Sequence, residues 1–271
     1  MKNMMSIDLE DNYCDLPFST WSNYESRVVK TTKVLLDLLV KYDAQATFFT
    51  VGYIAERYPD LVEEVKSKGH EIASHSYSHP DLRSMTKETF EADLIRSVES
   101  LRKVTGENIL GFRAPYFSVS KQNFWVFQVM KKHLRYDSSI FPMGLHYGFS
   151  DAPRHPYKMS SEDPLKEDSN GNFTEIPMAT LRWPVLGNLP IAGGFYLRAL
   201  PFELVKSGIR KLNNSGSSAM CYIHPEDLAP DRPRVPGYAW HYYYGLNGAL
   251  KKFESLLKNF KFSSVREVLS I

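Results

Sequence analysis

The sequence predicts an α/β protein whose parallel strands close or curve into a barrel. Strand-like and helix-like stretches alternate along the chain, as repeated βα units do. The length of 271 residues suits one large α/β barrel or two small domains. Polar residues suited to chemistry fall just after successive strands, the end of the sheet where sites gather in such folds.

The elements follow in order. Met4–Leu9 is a short apolar run and the first strand. Ser22-x-x-Glu25 has the form of a capping box ahead of Val28, Val29, Leu35, Leu36, Leu38 and Leu39 at helical spacing. Ala46–Val51 is β-rich. Pro59 opens a helix through Val62 and Val65, which Gly69 stops. His70–Ser74 is the third strand, and a helix from about Thr86 to Thr105 is closed by Gly106. Ile109–Phe112 is the fourth strand, Ser120 caps a helix to about His133, and Tyr136–Ser138 is the fifth strand. Phe173–Pro177 and Ala219–Ile223 read as strands with a helix from Pro201 between them. Asn247 caps a last long helix through Leu250, Phe253 and Leu257, and Ser264-x-x-Glu267 is a further capping box.

Between these elements, Pro142 to Asn172 is irregular, and loops of that length are usually functional or disordered. With His146, Tyr147, His155 and Tyr157 it reads as a lid over a cleft or as an ordered surface excursion. No repeat, low-complexity tract or linker divides the chain, so residues 1–271 read as a single domain.

Composition narrows the partners. Apolar residues make up 43% and charged residues 24%, an ordinary globular balance. A net charge of +2 gives no broad electrostatic case for nucleic acid or a membrane surface, and no apolar run approaches the roughly 20 residues of a membrane span. Met1-Lys-Asn leads directly into a strand, with no signal peptide ahead of it. Cys14 and Cys221 are too few for a disulfide framework. The expectation is a cytoplasmic protein of unknown oligomeric state. Cys221 reads as buried and inert; Cys14, after an acidic cluster, reads as an incidental thiol or one close to a metal.

The polar clusters carry the chemistry. His75 and His79 stand four residues apart, about one helical turn, so both rings can face one point. Two neutral imidazoles and a carboxylate make the three-ligand site with an open position that catalytic zinc needs; two loop histidines capping backbone groups would show the same spacing. Asp8 and Glu10 share one side of the first strand, so one carboxylate can bind metal while the other takes a proton from water. Arg113, in Gly111-Phe-Arg-Ala-Pro-Tyr-Phe117, can clamp Asp8 with its rigid fork. Pro115 fixes the following turn, which leaves the Tyr116 backbone N–H to face a developing oxyanion. His224 emerges at a strand end in Cys221-Tyr-Ile-His-Pro-Glu226, placed to protonate a leaving amine. A surface Arg before an X-Pro turn and a loop histidine capping a turn are the plain alternatives.

Together these segments resemble the polysaccharide deacetylase (NodB-homology) family: the acidic strand end at Asp8, Gly69-His-Glu-Ile-Ala-Ser-His-Ser-Tyr-Ser-His79, Arg113-Ala-Pro-Tyr116 and Ile223-His224-Pro225. Tyr136-Asp-Ser-Ser-Ile-Phe-Pro142, Asp151-Ala-Pro-Arg154 and Gly187-Asn-Leu-Pro-Ile-Ala-Gly-Gly194 resemble the subgroup encoded with exopolysaccharide assembly genes, whose distinctive C-terminal portion is residues 142–271 here. The resemblance implies a distorted, incomplete (β/α) barrel and a metal-dependent hydrolase that removes acetyl groups, usually N-acetyl, from a sugar or oligosaccharide. It implies Asp8 as base, His75 and His79 as metal ligands, Arg113 as the residue orienting the base, the Tyr116 N–H as oxyanion donor and His224 as general acid. The chain departs from the pattern at Leu9, where most members carry the metal-binding Asp. Glu10 is then the third ligand by its Asp-x-Glu spacing, with Asp11 the alternative. The Asp that members carry upstream of the final His has no clear equivalent; Asp137 and Glu203 are candidates. The Leu9 departure also keeps open a metal-independent amidase like the allantoinase-type relatives, and a sugar-binding protein that lost its chemistry.

Overall fold

The computed structural model describes residues 1–271 except 145, 146, 184–186 and 192. Strand β1 (Asn3–Leu9) is buried along its whole length, as a central parallel strand covered on both faces must be. It pairs in parallel with β2 (Thr47–Thr50), and β2 with β3 (Glu71–Ser74). The sheet continues through β4 (Gly111–Phe112) and β5 (Tyr136–Asp137). β6 (Tyr157–Lys158) forms the far edge, antiparallel to β7 (Thr174–Glu175), which pairs in parallel with β5. β8 (Thr180–Trp183) and β9 (Gly187–Pro190) pair antiparallel in a separate two-stranded sheet. On its other edge β1 pairs in parallel with β10 (Met220–Ile223), while β11 (Phe262–Ser263) pairs in parallel with the start of β1 on the β2 edge. Among the described residues no ladder joins β10 to β6, so the barrel is incomplete, as expected.

The connections are helical. α1 (Val28–Lys41) follows β1, α2 (Gly52–Arg57) and α3 (Pro59–Ser67) follow β2, α4 (Lys87–Thr105) follows β3, and α5 (Trp125–His133) follows β4. α6 (Gly194–Ala199) and α7 (Phe202–Asn214) precede β10, while α8 (Leu246–Asn259) and α9 (Val265–Leu269) flank β11. Leu35, Leu36 and Leu39 of α1 are fully buried in the core, the stripe their spacing predicted. α4 has both expected ends: the Thr86 side chain caps it and Gly106 closes it at φ 69°, a left-handed turn that glycine adopts without a Cβ penalty.

Other helix starts differ from expectation. α1 begins at Val28; Ser22 lies in a 3-10 turn before it and Glu25 in the intervening loop. Its N-terminus is capped from a distance. The buried Asp11 carboxylate accepts the Arg27 N–H at 3.1 Å, the Val28 N–H at 3.4 Å and the Ser26 hydroxyl, satisfying donors that a first turn leaves orphaned. Replacing Asp11 with Ala is expected to cost about 1–2 kcal/mol, the magnitude of a lost helix cap, which urea unfolding measures. α8 starts at Leu246 after Gly245, so Asn247 is inside the helix. Ser264 caps α9 through the Glu267 N–H, but the Glu267 carboxylate turns to Ser263 and Lys2, leaving half a capping box.

The irregular stretch 142–172 contains β6 and a bridge between Met159 and Glu167. His155 pairs with Glu167 at the surface, and the Tyr157 hydroxyl donates to the Pro164 carbonyl. Tyr147 reaches the central cavity; His146 lies outside the described residues. Most of the stretch is therefore an ordered excursion rather than a lid.

Candidate active site

The strand ends carry their polar residues to one cavity of about 470 Å³. At its floor, one ligand atom each from Glu10, His75 and His79 lies within 4.8 Å of the other two. Glu10 Oε2 is 2.6 Å from His79 Nε2 and 3.6 Å from His75 Nε2. Strand alternation explains why Glu10 rather than Leu9 arrives there: Leu9 is fully buried in the core, and Asp8 and Glu10 share the opposite side. The two rings converge through a loop rather than a helical turn. Ser76 and His79 both take left-handed backbone, at φ 63° and 53°, which is uncommon outside glycine and is the kind of strain found at functional sites.

Each imidazole is fixed by its other nitrogen. His75 Nδ1 is 2.8 Å from the Arg113 carbonyl and His79 Nδ1 is 3.0 Å from the Cys14 carbonyl. A carbonyl only accepts, so both Nδ1 atoms carry the proton and both Nε2 lone pairs face Glu10, the arrangement that backs metal-binding histidines. Burial lowers the His75 pKa to about 4, which keeps the ring neutral. Burial pushes Glu10 up, but His79, His224 and His75 together outweigh it and bring the carboxyl down to about 2. For His79, burial acts downward and the adjacent Glu10 carboxylate prevails, raising the pKa. Glu10 Oε2 is buried with no aligned hydrogen bond among the described residues. A carboxylate, two imidazoles with outward lone pairs and an unsatisfied buried oxygen are a donor set that fits a divalent cation such as zinc.

Asp8 stands beside the triad, 2% exposed, with Oδ1 2.6 Å from Arg113 Nη1. Arg113 is fully buried. It also donates to the Ser6 hydroxyl at 2.8 Å, the Ser138 carbonyl at 3.1 Å and the Ser138 hydroxyl at 3.0 Å. That fork leaves it one orientation and aims Asp8. Tyr116 follows Pro115 in left-handed backbone at φ 57° and lines the cavity.

His224 closes the cluster from the far end of the chain. Its Nε2 lies 3.9 Å from Asp8 Oδ2 and 3.6 Å from Glu10 Oε1. Its Nδ1 lies 2.9 Å from Asp227 Oδ2, and Asp227 Oδ1 accepts from Arg198 Nε at 3.0 Å. Burial alone would lower the His224 pKa, but Asp227 prevails and raises it to about 9; Asp227 itself is held well below the usual carboxylate range. Gly194 is needed for this contact, because a Cβ there would sit 1.8 Å from Asp227 Oδ2.

Asp227 and Arg198 were missed from sequence. The signal was present: His224-Pro-Glu-Asp227 opens a 3-10 turn with Asp227 three residues downstream. The sequence candidates for this partner go elsewhere. Asp137 accepts from the Ser139 N–H and hydroxyl, and Ser139 Oγ in turn accepts the Ala114 N–H, so Asp137 supports the Arg113 loop. Glu203 is exposed on the outer face of α7, near Lys206. The alternative metal ligand, Asp11, spends its carboxylate on the α1 cap and is outside the triad. The Cys14 thiol is buried and accepts the Asp11 N–H at 3.2 Å, also outside the triad.

Comparisons with known proteins divide the chain in two. Residues 16–133 match the polysaccharide deacetylase family and residues 138–270 match a domain of unknown function. Asp8 and Glu10 precede the first match and His224 lies in the second. A peptidoglycan-N-acetylglucosamine deacetylase of Bacillus cereus is 31% identical over 105 residues, which cover 36% of this chain and 38% of that protein. A peptidoglycan deacetylase of Helicobacter pylori is 29% identical over 161 residues, covering 58% of this chain and 54% of that one. The chain thus spans between about a third and a half of these curated relatives. Among solved structures, a Mycobacterium smegmatis protein assigned as a polysaccharide deacetylase superposes with a TM-score of 0.65 at 17% identity, covering 99% of this chain and 90% of that one. An allantoinase superposes with a TM-score of 0.62 at 19% identity, covering 98% and 88%. At these identities both show the fold alone.

Proposed function

We propose that this chain, whose residues 16–133 match the polysaccharide deacetylase (NodB-homology) family, hydrolyses acetyl groups, N-acetyl in the first instance, from a sugar or oligosaccharide with a divalent cation held by Glu10, His75 and His79. The observation that carries the reading is that triad standing between Asp8, oriented by Arg113, and His224, backed by Asp227.

A divalent cation at the triad would supply Lewis acidity that brings the pKa of a water near neutrality. The remaining chemistry belongs to the chain. Asp8, held by Arg113, takes the proton from the attacking water. Tyr116, in its left-handed turn, offers its backbone N–H to the oxyanion. His224, protonated at neutral pH because Asp227 raises its pKa to about 9, donates to the departing amine. Asp8 Oδ2 and His224 Nε2 lie 3.9 Å apart and both line the cavity, so base and acid can act on the same carbonyl carbon when it is bound in the cavity above them.

The working form of His224 is protonated, so activity falls as pH rises through its pKa. Asp227→Asn removes the carboxylate that raises it. The alkaline limb is then expected to move to lower pH, and kcat/KM at its optimum to fall roughly 10²-fold, at the lower end of general-acid contributions. A pH–rate profile of the variant checks both, with the melting temperature as control. The assay is acetate release from a panel of acetylated glycans with and without chelator.

Finer placements rest on the same reading. We assign the substrate to surface-glycan synthesis, supported by the segments resembling the exopolysaccharide-associated subgroup. We also treat residues 1–271 as one domain, since β1 pairs with β10 and β11 and the site draws on both ends of the chain. The buried free thiols Cys14 and Cys221 support a cytoplasmic, reducing location. Among the described residues no helix is long and apolar enough to cross a membrane.

A further inference from the structure

We propose that Trp240 is a stacking platform for a second pyranose, which makes the site selective for oligosaccharides over a single acetylated sugar; this rests on the deacetylase reading. The C-terminal half, which matches a domain of unknown function, contributes one wall of the cavity, including Phe195, Tyr196, Trp240 and Tyr242. The triad at the floor is nearly inaccessible, whereas Trp240 lines the same cavity and is 67% exposed. Trp240 therefore marks the solvent end. The cavity's volume, about 470 Å³, exceeds what one acetylated pyranose fills, so a ring bound for reaction leaves space toward the indole.

The indole is held in place but left open. Phe195, His241 and Tyr244 meet it nearly perpendicular, with centroids 5.7 to 6.1 Å away. Among the described residues none of its ring neighbours stacks parallel on it. The backbone beneath is fixed. Arg198 donates to the His241 carbonyl at 3.1 Å and to the Tyr244 carbonyl. Farther along the wall, Arg232 Nε donates to Asn12 Oδ1 at 2.7 Å and the Tyr238 hydroxyl to the Asn12 carbonyl at 2.8 Å. An apolar ring this large, exposed on an anchored support, has little to offer folding and much to offer recognition. The C–H face of a pyranose suits the electron-rich face of an indole. Arg198 also binds Asp227, so the platform and the partner of the proton donor share one support and keep a fixed spacing. A sugar stacked on Trp240 is thereby registered against His224.

The test uses β-1,4-linked N-acetylglucosamine as monomer, dimer and tetramer. For wild type, Trp240→Ala and Trp240→Phe, kcat/KM for acetate release is measured at each length. The ratio of tetramer to monomer is expected to fall about tenfold or more in the Ala variant, equivalent to at least ~1.4 kcal/mol of binding, and to survive largely in the Phe variant. An equal loss at every length, or an unchanged ratio, overturns the proposal. A second arm does not depend on turnover. Tetramer is titrated into Asp8→Asn protein while tryptophan emission is followed, with and without Trp240→Phe. A saturable emission change lost with Trp240 supports the platform; no change in the Trp240-containing protein overturns it. If wild type releases no acetate from any length, the deacetylase reading fails on its own and the emission arm alone decides the platform.

Discussion

Replacing His75 with Ala is expected to abolish both divalent-metal binding and acetate release. His75 is 2% exposed and supplies one of three ligand atoms that lie within 4.8 Å of one another. Removing it leaves one imidazole and one carboxylate, too few for a catalytic zinc site. The fold is expected to survive, because the lost ring sits on a loop at the end of the sheet and makes one hydrogen bond, to the Arg113 carbonyl. Elemental analysis of the purified variant and an acetate assay read the two losses, and an unchanged melting temperature separates them from unfolding. His79→Ala should behave alike. Metal retained at wild-type stoichiometry by either variant would mean that the cation sits elsewhere.

Asp8→Asn has the opposite signature: metal stays and turnover falls. The amide keeps an oxygen for Arg113 Nη1, now 2.6 Å from Oδ1, so the buried guanidinium stays hydrogen-bonded, but an amide takes no proton from water. A positioned base contributes about 10²–10⁴-fold, so kcat should drop by that order while metal content is unchanged. KM should change little, since the loss falls on the transition state rather than on binding. Equal loss of metal in Asp8→Asn and His75→Ala would move Asp8 from the role of base to that of ligand.

Much of this was legible because parallel α/β folds put chemistry at strand ends. Asp8, His75, Arg113 and His224 each follow an apolar run; the structure brings Asp8, His75 and His224 to one cavity and buries Arg113 behind Asp8. Leu9 was legible in the same way: alternation turns it into the core and leaves Glu10 on the side of Asp8. What escaped the sequence depends on pairings that no local pattern encodes. Asp11 looked like a ligand because it is acidic and close to Glu10, yet the start of α1, some 16 residues on, claims its carboxylate. Asp227 was sought upstream of His224 and stands three residues downstream. Arg198 and Trp240 gain meaning only once α6 and the segment before α8 fold against the end of β10. The curvature of the sheet followed from βα alternation; its open edge, set by the antiparallel β6, did not.

The central claim is that a cation on Glu10, His75 and His79 drives acetyl hydrolysis. The most direct measurement is acetate release from an acetylated glycan by protein stripped with chelator and then titrated with zinc. Turnover should vanish on stripping and return in proportion to zinc, reaching its plateau near one equivalent per chain. Full turnover in stripped protein contradicts the claim and favours a metal-independent amidase.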